Sequence, residues 1–372
     1  MRVAVVGVGG TGSAALRFLA QAGHEAVGFE QFRVGHDRGS SHGESRIIRY
    51  TYPDLLYTQM MGDAYPLWAD LEEAAGEELF VRCGGLLFGP RGLPRIELTV
   101  DALRQTGLPY EELEPAAVRD RFPAICLEDG ETAIFQKESG FLRASHCVRA
   151  NARLAVAYGA TLREETPVLR VDSRREETLV ITEEGAEPFD RVILTAGPWM
   201  SRLAASLQLP LAVTRQQVVY LQIARNPERF SPDRFPIWID AAARYYGFPS
   251  DGIFSGVKLA AHQPGAVVDP GHCLRAVDET YIREAVRLGT RRLPDLAPAI
   301  TYSHTCLYTS TPDEHFILDR IPGSPHVWLV SGCSGHGFKF TVLLGKIAAD
   351  LATGGSYPRD LSRFAVTRFS HA

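Results

Sequence analysis

Gly7-Val-Gly9-Gly-Thr-Gly12 and Glu30 are the residues of this chain with the plainest chemical use. Glycines in a GxGxxG spacing permit a tight turn, close approach of backbone to a pyrophosphate, and close packing of the next helix on its strand. The positive end of that helix then faces the phosphates. An acid about 20 residues further on, at the end of the second strand, is where a carboxylate meets a ribose hydroxyl. Glu30 fills that place, and its charge makes NADP, with a 2′-phosphate, the least suited dinucleotide. The expected cofactor contacts of this stretch are Gly7, Val8, Gly9, Gly10, Thr11, Gly12, Glu30 and Gln31. A lone GxGxxG is weak, but strand, helix and acid in order make it a dinucleotide site.

Lysine is a second signal. Of 39 basic residues only Lys137, Lys258, Lys339 and Lys346 are lysines. Two stand in apolar, glycine-rich settings, Gly256-Val-Lys258-Leu-Ala and Gly337-Phe-Lys339-Phe. A lysine kept amid so much arginine suits a site that needs a compact ammonium group; chance or snorkelling is the plainer explanation. The six cysteines are scattered, with no CxxC pair, so neither a metal site nor a disulfide framework is expected. Each is by default a buried thiol.

These residues need elements to hold them. Arg2 to Val6 reads as a β-branched strand, residues 13–22 as a helix ended by Gly23, and Glu25 to Glu30 as a second strand. The segment Gly39 to Arg49 follows directly, with small and polar residues before Arg46-Ile-Ile-Arg49; it reads as a cofactor-contacting loop in which Ser45 caps a helix. Helices are expected over 57–76, 95–107, 115–121, 144–158, 278–292 and about 341–353. Strands are expected at Cys83 to Phe88, Gly130 to Ile134, Gly140 to Leu142, near 161–164, 168–172 and 178–182, at Arg191 to Ala196 and at Val327 to Ser331. Residues 211–262 alternate as strands of an antiparallel sheet. Strand, glycine turn and helix recur at 327–353, far from the first such unit, so the nucleotide fold is discontinuous, with a sheet domain inserted twice.

In order along the chain stand GSSHGESRIIR (39–49), TAGPW (195–199), YYGFPS (245–250), GVKLAAH (256–262), CLYTSTPDEHFILD (306–319) and SGHGFKF (334–340). With the N-terminal glycines and Glu30, this set resembles the monomeric sarcosine oxidase and N-methyltryptophan oxidase family, within the D-amino-acid oxidase-like FAD-dependent oxidoreductases. The likeness runs over nearly the whole chain. It implies an α/β fold (α+β overall), with a Rossmann-like FAD-binding domain from 1–82, 141–213 and 313–372 and a mixed or antiparallel-sheet substrate domain from 83–140 and 214–312. It implies FAD attached to Cys306 through an 8α-S-cysteinyl bond. Lys258 matches the family's oxygen-activating lysine, Arg49 and Lys339 the holders of a substrate carboxylate, and His262 an active-site histidine. Tyr246 and Tyr308 match the walls of the substrate cavity. His42, Ser45 and Arg46 match residues near the flavin ring, Arg46 being counted with Lys258, His262 and Tyr308 as catalytic. Ser41, Val168, Ala196, Gly197, Trp199, Gly335 and Gly337 are further expected cofactor contacts. Two departures stand out. Cys333 replaces a bulkier apolar residue, and Asp251-Gly-Ile-Phe254-Ser is one residue longer than the family's form, which bears on Tyr246 and on the substrate.

The activity implied is oxidation of a small secondary amine or N-methyl amino acid, with O2 reduced to H2O2. The alternatives are an oxidase of a cyclic imino acid or other amino acid with the same fold, or a flavin dehydrogenase using an acceptor other than O2. A net charge of −5 gives no footprint for nucleic acid or an anionic membrane. No apolar run reaches the roughly 20 residues of a membrane span, and Val3 to Val8 runs into the glycine turn rather than a signal-peptide cleavage site. A cytoplasmic protein is the expectation, and the family resemblance implies a monomer.

Overall fold

The computed structural model describes residues 1–174, 177–273 and 275–369; the end of the 313–372 segment therefore lies partly outside the described residues. The apolar strand Arg2–Val6 forms the middle of a six-stranded sheet. Glu25–Phe29 and Thr161–Arg163 lie on one side of it, and Arg191–Leu194, Val327–Ser331 and Ile317–Arg320 on the other. All pair in parallel except the last, which returns antiparallel. The helix Gly10–Gln21 packs against helices Ala144–Ala157 and Thr341–Ala352 on one face. Close contact of these helices depends on Gly345, where a Cβ would sit 2.7 Å from atoms of Thr11, Ala14 and Ala15.

An eight-stranded sheet takes its strands from two other stretches. Leu296–Ser310, Ala212–Ile223, Val257–Ala261, Tyr245–Gly247 and Ile237–Asp240 follow one another antiparallel. Gly85–Pro90 joins Ile237–Asp240 in parallel, and Glu131–Gln136 and Glu111–Leu113 complete the order. One face of this sheet is dry. Val219, Leu221, Val257, Leu259, Trp238 and Tyr245 pack there with Ala285 and Leu288 of the helix Glu279–Arg292. Pleat alternation sends the intervening residues to the other face. That face is the one that builds the site.

Two expectations change. Ser45 caps no helix: Arg46–Ile48 is a short strand, paired with Gly140–Leu142, and Phe80–Val81 pairs on that strand's other edge. The β-branched Ile47 and Ile48 suit this pairing better than a helix turn. The 15-residue strand Leu296–Ser310, absent from the expected strands, carries Cys306. The other expected helices and strands are present within a few residues of their ends.

Candidate active site

A cavity of about 710 Å³ runs between the two sheets, within the size range of ligand and cofactor sites. At one end its walls are backbone. Gly7 has φ +91°, and a Cβ there would lie 2.7 Å from the Thr195 carbonyl. The helix Gly10–Gln21 starts without a side-chain cap, although the Gly10 N–H donates to Ser41 Oγ at 3.0 Å. Glu30 is buried at the end of its strand, where its carboxylate accepts from Val8 N at 2.8 Å and Phe32 N at 3.1 Å. An open helix end, side-chain-free glycines and a fixed carboxylate fit the pyrophosphate and ribose of a dinucleotide. Gln31, Val168, Ala196, Gly197 and Trp199 line the same end.

The other end is built from the opposite face of the large sheet, the one turned away from the helix Glu279–Arg292. Cys306 and Tyr308 alternate along one strand, Val218 stands on the next, Lys258 on the third and Tyr246 on the fourth. All five line the cavity, because cross-strand neighbours on one face converge. His262 lies just beyond the third strand, on the Lys258 face. Opposite them come Arg46, Arg49 and Tyr52 from one segment and Gly335 to Lys339 from another. Gly335 has φ +73°, and its Cβ would fall 2.2 Å from the Tyr308 ring, so the turn and that ring share space only because the residue is glycine. A Cβ at Gly337 would meet the Cys333 side chain at 2.5 Å.

The charges at this end are unusual. Lys258 is buried; its Nζ donates to the Ser45 carbonyl at 2.8 Å and Ser45 Oγ at 3.1 Å, and lies 4.7 Å from the centre of the Phe248 ring. Burial, with Arg46 nearby, lowers its pKa to about 7. Lys339 Nζ donates to Tyr52 Oη at 3.0 Å and the His336 carbonyl at 2.9 Å, and burial pushes its pKa well down. Arg49 donates to Thr51 Oγ1 at 3.1 Å and stands over the Tyr52 ring; burial lowers it to about 10. Among the described residues no carboxylate lies within 4.0 Å of Lys258, Lys339 or Arg49. Burial and the surrounding cations push His262 down to about 3, which keeps it neutral. Tyr246 and Tyr308 hold their hydroxyls 3.4 Å apart.

Of the expected site residues, only Gly12, His42 and Ser45 do not line this cavity. Gly12 serves packing: a Cβ would lie 1.9 Å from the Gly7 carbonyl. Ser45 holds Lys258 from behind. His42 faces a second cavity of about 380 Å³, with His304, Phe254 and Tyr302. Arg46 lines the main cavity but spends its guanidinium on the carbonyls of Ser40, His42 and Ser45, bracing that loop. The longer segment at Asp251 turns away from the amine end: Asp251 accepts from Tyr220 Oη at 2.9 Å and from Ile253 N and Phe254 N, and Phe254 stacks on Tyr302. Tyr246 lines the main cavity.

Sequence reasoning missed Tyr52, His336 and Arg95, which also line the cavity. Tyr52 ties Lys339 to the ring beneath Arg49. Its nearness to Arg49 in the chain was the available signal. Among the described residues no group of three or more His, Cys, Asp or Glu could hold a metal ion, and no helix is long and apolar enough to cross a membrane.

A dinucleotide end joined to a walled, cationic second end fits a cofactor-dependent oxidoreductase. Comparison with known proteins gives the family. The FAD dependent oxidoreductase family matches residues 2–351, and the chain belongs to it. The monomeric sarcosine oxidase of Streptomyces avermitilis is 34% identical over 100% of this chain and 98% of its own. The N-methyl-L-tryptophan oxidase of Yersinia pestis is 31% identical, with 98% of each chain covered. Among solved structures, L-proline dehydrogenase from P. horikoshii superposes with a TM-score of 0.86 at 22% identity, covering 100% of this chain and 98% of the other; that likeness speaks for the fold. The cofactor is FAD, and the chain is an FAD-dependent oxidoreductase.

Proposed function

We propose that this chain oxidises a secondary amine that bears a carboxylate, an N-methyl or other N-alkyl amino acid, to its imine, with O2 reduced to H2O2. The observation that carries the reading is the pair of buried cations Arg49 and Lys339, facing the cavity without a carboxylate partner among the described residues. A buried, uncompensated charge is costly. A substrate carboxylate would partner both cations, with charge-assisted bonds that fix its orientation. The names of the relatives, a sarcosine oxidase and an N-methyl-L-tryptophan oxidase, point to the same class.

FAD, when bound, supplies the hydride acceptor and the electrons that pass to O2. The chain supplies positions and charges. Arg49 and Lys339 anchor the carboxylate and so set where the carbon beside nitrogen lies. Tyr246 and Tyr308 form an aromatic wall around a small amine and exclude water. His262, held neutral, offers a hydrogen bond without repelling a substrate amine. Lys258, fixed by Ser45, places positive charge where negative charge develops as O2 is reduced. The imine, once released, hydrolyses in water.

Cys306 supports a covalent 8α-S-cysteinyl link, since its buried sulfur lines the cavity on the face that carries Lys258 and Tyr308. The origins of the strands in the two large sheets support the FAD-binding (1–82, 141–213, 313–372) and substrate (83–140, 214–312) domains, as described residues allow. We read the protein as a cytoplasmic monomer.

The first test is an absorbance spectrum before and after acid precipitation, followed by H2O2 release from a panel of N-methyl and cyclic amino acids. Yellow colour in the pellet and peroxide from N-methyl amino acids are the expected results. Colour freed to the supernatant removes the Cys306 link alone. Substrate turnover with an artificial acceptor but no peroxide under O2 would replace the oxidase with a dehydrogenase.

A further inference from the structure

Arg95 has no structural occupation. It is the second residue of the helix Pro94–Thr106, where a positive charge sits at the positive end of the helix dipole. Its guanidinium has no hydrogen-bond acceptor and no carboxylate within 4.0 Å among the described residues. It is half-buried and lines the amine end of the cavity. Its positive field reaches Arg49, Tyr52 and His262, three groups of that end. Partial burial lowers its own pKa, and Arg244 adds to that, while Tyr52 and the more distant Glu314 carboxylate oppose it. Helix electrostatics and desolvation both disfavour an arginine here. A residue that breaks several local rules at a cavity wall is a candidate for recognition.

The rim beside it is cationic too. Arg244 adopts φ +56°, donates to the His262 carbonyl at 3.2 Å, and lies 3.7 Å from the exposed Glu314 carboxylate. Two arginines thus stand against one glutamate. The carboxylate next to the reacting carbon already has Arg49 and Lys339. A further unpartnered cation in the same cavity calls for a second anionic group on the same molecule.

We propose that Arg95 binds a side-chain carboxylate of the substrate, so that the amine oxidised is an N-alkyl amino dicarboxylic acid. The inference rests on the reading of Arg49 and Lys339 as the anchor of the first carboxylate. Arg244, partly neutralised by Glu314, flanks the second one. The guanidinium fork suits a carboxylate better than a point charge would.

The test compares kcat/KM for N-methylaspartate and N-methylglutamate, in both configurations, with those for sarcosine and N-methylalanine, followed as H2O2 release by the holoenzyme. The wild type is expected to favour a dicarboxylate. In Arg95→Gln the dicarboxylate-to-monocarboxylate ratio should fall on the order of 10- to 100-fold, as for loss of a charged hydrogen-bond pair, mainly through KM. Arg95→Lys, which keeps the charge but not the fork, should fall between. A wild type without dicarboxylate preference, or a ratio unmoved in Arg95→Gln, overturns the proposal. Should no amine be oxidised, binding of glutarate and acetate, read from perturbation of the flavin spectrum, decides instead: tighter glutarate binding that Arg95→Gln abolishes supports it, and equal binding overturns it. Equal weakening of mono- and dicarboxylates in Arg49→Ala, with their ratio intact, separates the first anchor from the second; no effect of Arg49→Ala on any carboxylate sinks the underlying reading.

Discussion

The two ends of the cavity are made by opposite means. At the nucleotide end the wall is backbone, and the design lies in what is missing: Gly7 and Gly9 line it without side chains, and Gly12 behind them lets the helix close on the turn. At the amine end the wall is side chains from four neighbouring strands and two facing segments, and the design lies in charge. Lys258, Lys339 and Arg49 are buried without carboxylates among the described residues, and burial lowers the pKa of each. The first end is closed to side chains at its glycines and holds a common chemical unit. The second is equally tight at Gly335 and Gly337, but its cations are side chains that can be truncated without a clash. Variants at the two ends should therefore fail differently.

The largest effect is expected at Gly12. Its Cβ would lie 1.9 Å from the Gly7 carbonyl and 2.5 Å from Thr195 Oγ1, so Gly12→Ala must push the helix off its strand. Overpacking of this kind leaves the pyrophosphate turn misshapen, and flavin per protein should drop by more than about tenfold, measured by absorbance ratio. Arg49→Ala comes next. It should keep its flavin and lose on the order of 10²- to 10³-fold in kcat/KM, the cost of charged hydrogen bonds to a carboxylate. If Arg49→Ala sheds flavin as thoroughly as Gly12→Ala, the contrast between the ends is wrong.

How each end could be read in the sequence follows from the same contrast. The glycine turn, Glu30 and the flanking strands lie within 30 residues, so spacing alone disclosed them. The amine end is assembled from residues 46–52, 95, 246–262, 306–308 and 333–339, and spacing says nothing about their meeting. Only the family likeness joined most of them. Arg95 escaped because it opens a helix that looks ordinary on the page. The strand Leu296–Ser310 escaped because Pro298 interrupts it and much of its first half is exposed, which blurs the apolar alternation. Ser45 was misjudged for another reason: a serine before Arg-Ile-Ile looks like a helix cap, but Gly140–Leu142 supplies a strand partner that local sequence cannot reveal.

Lys258 sharpens the comparison through pH. Its pKa of about 7 lies below the unfolded value of 10.5. Between these limits the folded chain binds fewer protons than the unfolded one, so this residue makes stability rise with pH across the window. The melting temperature of flavin-free protein should climb more steeply from pH 7 to 10 in the wild type than in Lys258→Met. The reaction runs the other way. If the ammonium assists O2, the O2-dependent half-reaction should fall by up to about tenfold per pH unit above the break. The break lies near 7 for the chain alone, and a bound anion moves it upward. Lys258→Met should be slow and flat across that range in stopped-flow reoxidation, with flavin reduction by substrate much less affected. A wild-type reoxidation rate independent of pH from 6 to 10 would remove Lys258 from the oxygen step.

The smallest effect is expected at Tyr246. Among the described residues its hydroxyl meets only the Tyr308 hydroxyl, at a long 3.4 Å, and burial raises its pKa, so it stays neutral. A weak neutral hydrogen bond is worth roughly 1 kcal/mol or less, or about fivefold at most. Tyr246→Phe keeps the ring against Phe248 and should change KM within that limit, with flavin content and the Lys258 pH profile intact. Tyr246→Ala opens the wall to water and should cost more than the phenylalanine variant does, chiefly in kcat. The ranking matters more than either number. If Phe and Ala are equally damaging, the hydroxyl takes part in the chemistry, and the amine end works by proton transfer as well as by charge and shape.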